Sequence, residues 1–200
     1  ADGSGAYTVI VSALLDGGHS LTARATDASG NTGAASAVLA INVDTEAPEV
    51  PTISGVSPTN DATPGLTGTA EAGSTVTVYD GGTALGQTTA DAGGLYSFVP
   101  VTLSEGGHVI NATATDAAGN TSGVSESLSL VVDQTAPLIT LTEGDVTVAH
   151  AGTYTEPGAM AQDGVDGTMS VEILHTVDTT TVGTYTVNYT VTDSAGNTGT

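Results

Sequence analysis

The stretch Asp116-Ala117-Ala118-Gly119-Asn120 decides the fold, because the chain contains three versions of it. The other two are Asp27-Ala28-Ser29-Gly30-Asn31 and Asp193-Ser194-Ala195-Gly196-Asn197. Glycine next to asparagine supplies the positive φ angles that a tight turn needs. Each copy is therefore predicted to be a turn that carries one carboxylate and one amide.

A strand is predicted immediately before each of these turns. In the middle copy the apolar residues Ile110, Ala112 and Ala114 alternate with mostly polar ones, and the same period of two precedes the other copies. Such alternation is typical of a half-buried strand. The repeat itself has a step of 89 residues, since Asp27 and Asp116 differ by 89, as do Asp44 and Asp133. A self-similar unit of this size indicates an array of small β domains.

Three units follow from this step: residues 1–46, residues 47–135 and residues 136–200. The middle unit shows about seven short strands at regular spacing, which predicts an immunoglobulin-type β-sandwich. We expect the first unit to be the back half of such a domain, and the third to be a related unit without its last strand. The fold class is thus all-β, with tandem immunoglobulin-like β-sandwiches in an elongated array. Among the predicted strands are those at 6–11, 53–56 and 146–149.

Charge and composition limit the classes of partner. The net charge is −21, and Arg24 is the only Lys or Arg residue. Nucleic acid is not an expected partner, because the chain cannot neutralise phosphates. There is no cysteine, and we find no signal peptide and no apolar run that could insert into a bilayer. We expect a monomer whose partners are neighbouring repeats of its own chain. An alternative explanation of the acidity is that it only keeps the protein soluble.

The acidic residues are expected to meet where consecutive units join. In an immunoglobulin-type sandwich, the loop between the second and third strands and the loop between the sixth and seventh lie at the end where the chain enters. The Asp-x-x-Gly-Asn turn is the latter loop, so it should face the linker before its own unit. The predicted first junction contains Asp44, Glu46, Glu71, Asp116 and Asn120. The predicted second junction contains Asp133, Asp163, Asp166, Asp193 and Asn197.

Carboxylate and amide oxygens in this number favour calcium, which takes six to eight oxygen ligands at flexible distances. Magnesium demands stricter geometry, and zinc prefers His or Cys, which these sets lack. The first copy, Asp27 with Asn31, is expected to lack a complete site. The competing interpretation is that Asp and Asn only hydrogen-bond their own turns.

The remaining motifs give no indication of an enzyme. The sequence contains neither a Gly-x-Ser-x-Gly elbow nor a phosphate-binding loop. His19 and His108 stand 89 residues apart, and each follows a Gly-Gly turn. Tyr185 occupies the corresponding place in the third unit, which resembles the corner tyrosine of sandwich domains. We therefore interpret both histidines as corner residues rather than ligands.

At this point the chain resembles a known family. Residues 66–78 together with 114–120 resemble the bacterial immunoglobulin-like repeats of giant surface adhesins of the RTX or Bap type. The third unit, with residues 154–159, 163–167 and 182–185, is similar to the hyalin-repeat-like group of such domains. The resemblance implies an extender segment on the bacterial cell surface, stiffened by calcium at its junctions, with a role in adhesion or biofilm formation. Two alternatives stay open: a ligand- or glycan-binding module, and spacer domains of a secreted polysaccharide-degrading enzyme.

Overall fold

The computed structural model describes residues 5–200, and within them the chain forms strands and turns without a helix. No segment of this part is therefore a helix that could cross a membrane. The predicted all-β class is confirmed. The strands, in chain order, are β1 Gly17–Leu21, β2 Leu39–Val43, β3 Leu66–Thr69, β4 Thr75–Asp80, β5 Thr83–Thr89, β6 Leu95–Phe98, β7 Gly106–Thr115, β8 Leu128–Val132, β9 Leu138–Leu141, β10 Ala159–Asp163, β11 Gly167–Met169, β12 Glu172–His175, β13 Val187–Thr192 and β14 Thr198–Gly199.

The middle unit is a β-sandwich of two antiparallel sheets. One sheet has the order β5-β4-β7-β8, and the other pairs β3 with β6. The chain passes from one sheet to the other between β3 and β4, as it does in an immunoglobulin-type domain. Thr75 at the start of β4 lies opposite Thr115 at the end of β7, so the loop at Glu71 and the loop at Asp116 lie at the same end of the unit.

The core of the middle unit fills the space between its two sheets. Alternate residues of β4 and β7 point inward, and Val76, Val78, Ile110 and Ala112 are all fully buried. Burial of such side chains stabilises the fold by about 1.5–3 kcal/mol for each large aliphatic residue. The other buried members of the cluster are Leu66, Ala90, Tyr96, Phe98, Leu103, Leu130 and Val132.

The third unit has two three-stranded sheets, with the orders β11-β10-β9 and β12-β13-β14. Only Ser170 and Val171 separate β11 from β12, so the chain changes sheets within two residues. Ala161 and Val191 are its buried hydrophobic residues. The third unit also has a groove of about 780 Å³, lined in part by His150, Tyr154, Tyr185 and Tyr189.

In the first unit, the described residues form a two-stranded ribbon of β1 and β2. Four strand predictions are wrong. The strand predicted immediately before the first Asp-x-x-Gly-Asn turn, over residues 21–25, does not form, since β1 ends at Leu21 and residues 22–25 are not in a strand. Residues 6–11 and 146–149 form no strand, and residues 53–56 contribute only a single bridge, from Ser54 to Thr67. For residues 6–11 the side chains of Val9 and Ile10 are 69% and 94% exposed, so their apolar character does not mark the buried face of a strand.

Candidate metal centre

The three Asp-x-x-Gly-Asn turns have the same internal hydrogen bonds. In each, the Asp Oδ1 accepts the backbone N–H of the Asn four residues on, at 2.9 Å for Asn31, 2.9 Å for Asn120 and 2.8 Å for Asn197. The Asn Nδ2 donates to the Asp Oδ2, at 2.9, 2.8 and 2.8 Å in the same order. These carboxylates therefore close their own turns, as the competing interpretation expects.

Two of the turns also contact the linker before their own unit. The Asn120 Nδ2 donates to the carbonyl oxygen of Asp44 at 3.1 Å. The Asn197 Nδ2 donates to the carbonyl oxygen of Asp133 at 2.8 Å. The sixth-to-seventh strand loop thus lies against the preceding linker at both junctions.

At the second junction three carboxylates converge. Asp133 comes from the linker and Asp163 ends β10. Asp193 begins the third Asp-x-x-Gly-Asn turn; these three turns are called the key turns below. One oxygen from each lies within 4.8 Å of the other two. All three residues are buried, with exposures of 1%, 5% and 6%. Within residues 5–200 this is the only such group of three or more acidic or histidine side chains.

Two oxygens of this cluster lack a protein partner. The Asp133 Oδ2 and the Asp163 Oδ2 are buried and make no hydrogen bond to the described residues. Their other oxygens are engaged: Asp133 Oδ1 accepts the N–H of Thr135 at 3.1 Å, and Asp163 Oδ1 accepts those of Val165 and Asp166 at 2.7 and 2.9 Å. A buried polar atom without a partner costs about 1–3 kcal/mol, and more when it is charged.

Burial and mutual repulsion determine the electrostatics of the cluster. Burial raises the pKa of the Asp133 carboxyl, and the nearby charges of Asp163 and Asp193 raise it further. By contrast, the backbone N–H groups of Asp166 and Val165 lower the pKa of Asp163. The only ion pair within residues 5–200 is between His108 and Asp80, so no cationic side chain neutralises the cluster.

The residues predicted for the first junction do not form an equivalent group. Asp44 and Glu46 are exposed, and the Asp44 Oδ1 accepts the N–H of Glu46 at 3.1 Å. Glu71 is also exposed, in the loop between β3 and β4. Asp116 is half-buried, and its pKa is lowered, mainly by the Asn120 side chain. Only the bond from Asn120 to the Asp44 carbonyl joins members of this set across the junction.

Asp166 lies beside the cluster and outside it. Its carboxylate accepts the N–H of Ser194 at 2.7 Å and the Ser194 hydroxyl at 2.7 Å, so it ties the 163–167 turn to the third key turn.

The sequence analysis missed Glu105, which accepts the hydroxyl of Thr135 in the linker and whose charge also raises the pKa of Asp133. The repeat contains a signal for this residue: Glu105 precedes Gly106-Gly107 just as Asp16 precedes Gly17-Gly18, 89 residues earlier, so both units have an acid at this position.

The three predicted corner residues, His19, His108 and Tyr185, each hydrogen-bond a backbone carbonyl a few residues upstream. The Nε2 of His19 bonds the carbonyl of Leu15 at 2.7 Å, and that of His108 bonds the carbonyl of Ser104 at 2.9 Å. The hydroxyl of Tyr185 donates to the carbonyl of Thr181 at 2.9 Å. In each unit the side chain reaches the carbonyl four residues back, which is the contact of a tyrosine corner.

The fold and the junction together define a tandem of immunoglobulin-like sandwiches with an acidic cluster where two units meet. Residues 49–134 match the family described as a bacterial Ig-like domain, and residues 139–200 match the family described as a bacterial surface protein, Ig-like domain. Two segments of the chain are therefore each similar to a family of bacterial immunoglobulin-like domains, which confirms the resemblance seen in the sequence.

Two solved structures are also similar to the chain. A biofilm-associated protein BSP domain is 30% identical over 49% of this chain and 17% of its own, with a TM-score of 0.38. A tetra-tandem repeat from the extending region of a large adhesion protein is 26% identical over 98% of this chain and 50% of its own, with a TM-score of 0.37. The chain thus spans half or less of the length of each. No curated protein matches it.

Proposed function

We propose that the chain is a structural extender segment of a bacterial cell-surface adhesin, and that calcium stiffens the junction between its second and third units. The single observation that carries the calcium proposal is the buried cluster of Asp133, Asp163 and Asp193. The family of residues 139–200, described as a surface-protein domain, supports the surface location. Partners are neighbouring repeats, and no catalytic activity is expected.

The mechanism is electrostatic. Two carboxylate oxygens that lie within 4.8 Å of each other repel by roughly 3 kcal/mol or more at an effective dielectric constant of about 20. A divalent cation reverses the sign of that interaction, and its oxygen preference fits the two carboxylate oxygens that lack partners. Asp133 belongs to the linker, whereas Asp163 and Asp193 belong to the third unit. Joint ligation therefore fixes the linker against that unit.

A thermal melt of the chain in calcium, magnesium and chelator tests this proposal. We expect calcium to raise the melting temperature of the third unit, since binding at 100 times Kd stabilises the folded state by about 2.7 kcal/mol. Magnesium should have less effect because of its stricter geometry. The same melt is made with the variant Asp133→Asn. Its amide keeps an oxygen for the Thr135 N–H but removes one negative charge from the cluster, so calcium should stabilise it less than the parent chain. Equal melting curves in calcium and chelator would refute the calcium part of the proposal.

A second candidate function rests on the groove of the third unit. Its volume of about 780 Å³ and its tyrosine side chains would suit a sugar or another small ligand. A glycan array probed with the 200-residue chain distinguishes the two. Specific binding that is lost in Tyr189→Ala would favour the binding module, whereas an extender gives no signal.

A further inference from the structure

Each linker is also held by a side chain of the unit that precedes it. In the first linker, the hydroxyl of Thr45 donates to Asp16 and lies 3.0 Å from both of its carboxylate oxygens. In the second linker, the hydroxyl of Thr135 donates to the Oε1 of Glu105. Asp16 and Glu105 are equivalent, because they stand 89 residues apart and each precedes a Gly-Gly pair. Two consecutive units therefore make the same kind of contact with the linker that leaves them.

The strand register explains why the acid lies beside the linker. Gly17, the first residue of β1, pairs with Val43, the last residue of β2. Asp16 is therefore one step beyond that end of the ribbon, where the first linker begins. The first residue of β7 and the last residue of β8 pair in the same way and place Glu105 at the start of the second linker.

The corner histidines fix the backbone around each acid. The ring of His19 bonds the carbonyl of Leu15, and the ring of His108 bonds the carbonyl of Ser104. In both units the acid directly follows the bonded carbonyl, so it lies inside a loop that this hydrogen bond closes. The acid is thus anchored to its unit, and a hydrogen bond to an ionised acceptor is stronger than a neutral one.

The two contacts differ in a matched way. The linkers align as residues 44–46 and 133–135, so the donating threonine is the second residue of the first linker and the third residue of the second. Aspartate meets the nearer threonine, whereas glutamate, which is longer by one methylene group, meets the threonine that is one residue further on. The length of the acid and the position of the threonine therefore change together from one unit to the next.

We infer that the corner acid and the linker threonine form a clip that fixes the direction in which each linker leaves its unit, and that this clip acts without metal. On the other side of each linker, Asn120 and Asn197 bond the carbonyls of Asp44 and Asp133. Each linker is thus held by one side chain of the unit before it and by one of the unit after it. This restraint goes beyond the proposed function, since it needs no calcium. The positioning residues of the two clips are Asp16 with Thr45 and Glu105 with Thr135.

Pulsed electron paramagnetic resonance in chelator tests the inference at the second linker. Spin labels at the exposed positions Ser97 and Glu172 report the width of the distance distribution between the second and third units. We expect Thr135→Val, which removes the hydroxyl and keeps the backbone N–H, to broaden this distribution. Glu105→Asp should also broaden it, because the shorter acid no longer reaches the hydroxyl. The control Thr89→Val, at an exposed position of β5, should keep the parent width.

An exchange of acid length and threonine position distinguishes the clip from a general structural role. The triple variant Glu105→Asp, Gln134→Thr, Thr135→Val gives the second linker the arrangement of the first. We expect it to recover the narrow distribution that Glu105→Asp alone loses. Gln134→Thr alone is the matched control, because the Gln134 amide donates to the carbonyl of Asn60 at 3.4 Å. Thermal melts of all variants in chelator check that the second unit stays folded.

The outcomes separate the clip from the calcium proposal. A parent-like width in Thr135→Val would overturn the inference, and so would a triple variant with a broader distribution than Gln134→Thr. Both results are obtained without calcium, so they leave the calcium proposal standing. Equal melting curves of the parent in calcium and chelator would instead refute the calcium proposal and leave the clip intact.

Discussion

In the second and third key turns the asparagine both closes the turn and contacts the preceding linker. Its backbone N–H and side-chain amide both bond the turn aspartate, and the same side chain reaches the linker carbonyl at 2.8 Å for Asn197. The turn was predictable from Gly next to Asn. The linker contact was predictable only through the topology, because Asn197 and Asp133 are 64 residues apart.

His108 is the residue whose protonation should affect the middle unit. Its Nδ1 lies 2.7 Å from the Asp80 carboxylate, and its Nε2 lies 2.9 Å from the Ser104 carbonyl. Both contacts are best made by a doubly protonated ring. The Ser104 carbonyl is the main factor that raises the His108 pKa, and the hydrogen bond to Asp80 adds to it.

The sign of the pH dependence follows from that direction. A pKa raised on folding means that the stabilisation is complete below the ordinary value of 6.5 and is lost as the pH rises through the higher folded pKa. We expect an NMR titration to place the His108 pKa above 6.5, and Asp80→Asn to lower it. The stability of the middle unit should fall over that pH range. A His108 that titrates at or below the ordinary value would contradict this account.

At the scale of elements, Gly68 allows β3, β6 and the segment around Thr52 to approach one another closely in the middle unit. A Cβ on Gly68 of β3 would lie 2.0 Å from the Thr52 carbonyl oxygen and 2.6 Å from the Tyr96 hydroxyl. These two groups are hydrogen-bonded to each other at 2.5 Å. Gly68 therefore allows residue 52 to pass directly over β3 and accept the Tyr96 hydroxyl.

This close contact gives a matched pair of substitutions. Gly68→Ala should destabilise the middle unit by about 1–3 kcal/mol or more, because overpacking forces backbone to move. Gly65→Ala, one residue before β3, meets nothing within 4 Å and should change the free energy of unfolding by less than about 0.5 kcal/mol. Urea denaturation of both variants is the measurement. Equal effects would show that the contact is not tight.

The same scale explains what the sequence could and could not reveal about the junctions. The alternation before the second and third key turns predicted β7 and β13, whereas the same pattern before the first key turn gave no strand. The shared position of His19 and His108 after Gly-Gly predicted their role as corner residues. The sequence did not indicate that residues 163–167 close a hairpin whereas the Glu71 loop crosses between sheets. Both contain acids next to glycines, and only strand pairing distinguishes them. That pairing holds the carboxylate of Asp163 in a tight turn at the second junction.

At the scale of the whole molecule, the repeat with its step of 89 residues predicted the tandem architecture of immunoglobulin-like units. A net charge of −21 with one Arg leaves no protein cation for Asp133, Asp163 and Asp193. The sequence assigned similar ligand sets to both junctions, but burial depends on how each linker lies against its loops. Tertiary contacts therefore determine which of the predicted ligand sets comes together.

The most direct measurement of the central claim is the distance distribution across the second junction by pulsed electron paramagnetic resonance. The chain has no cysteine, so spin labels can be placed at the exposed positions Ser97 and Glu172. We predict that calcium narrows the Ser97–Glu172 distribution. A Ser97–Glu172 distribution that is the same in calcium and in chelator would contradict the claim that calcium stiffens this junction.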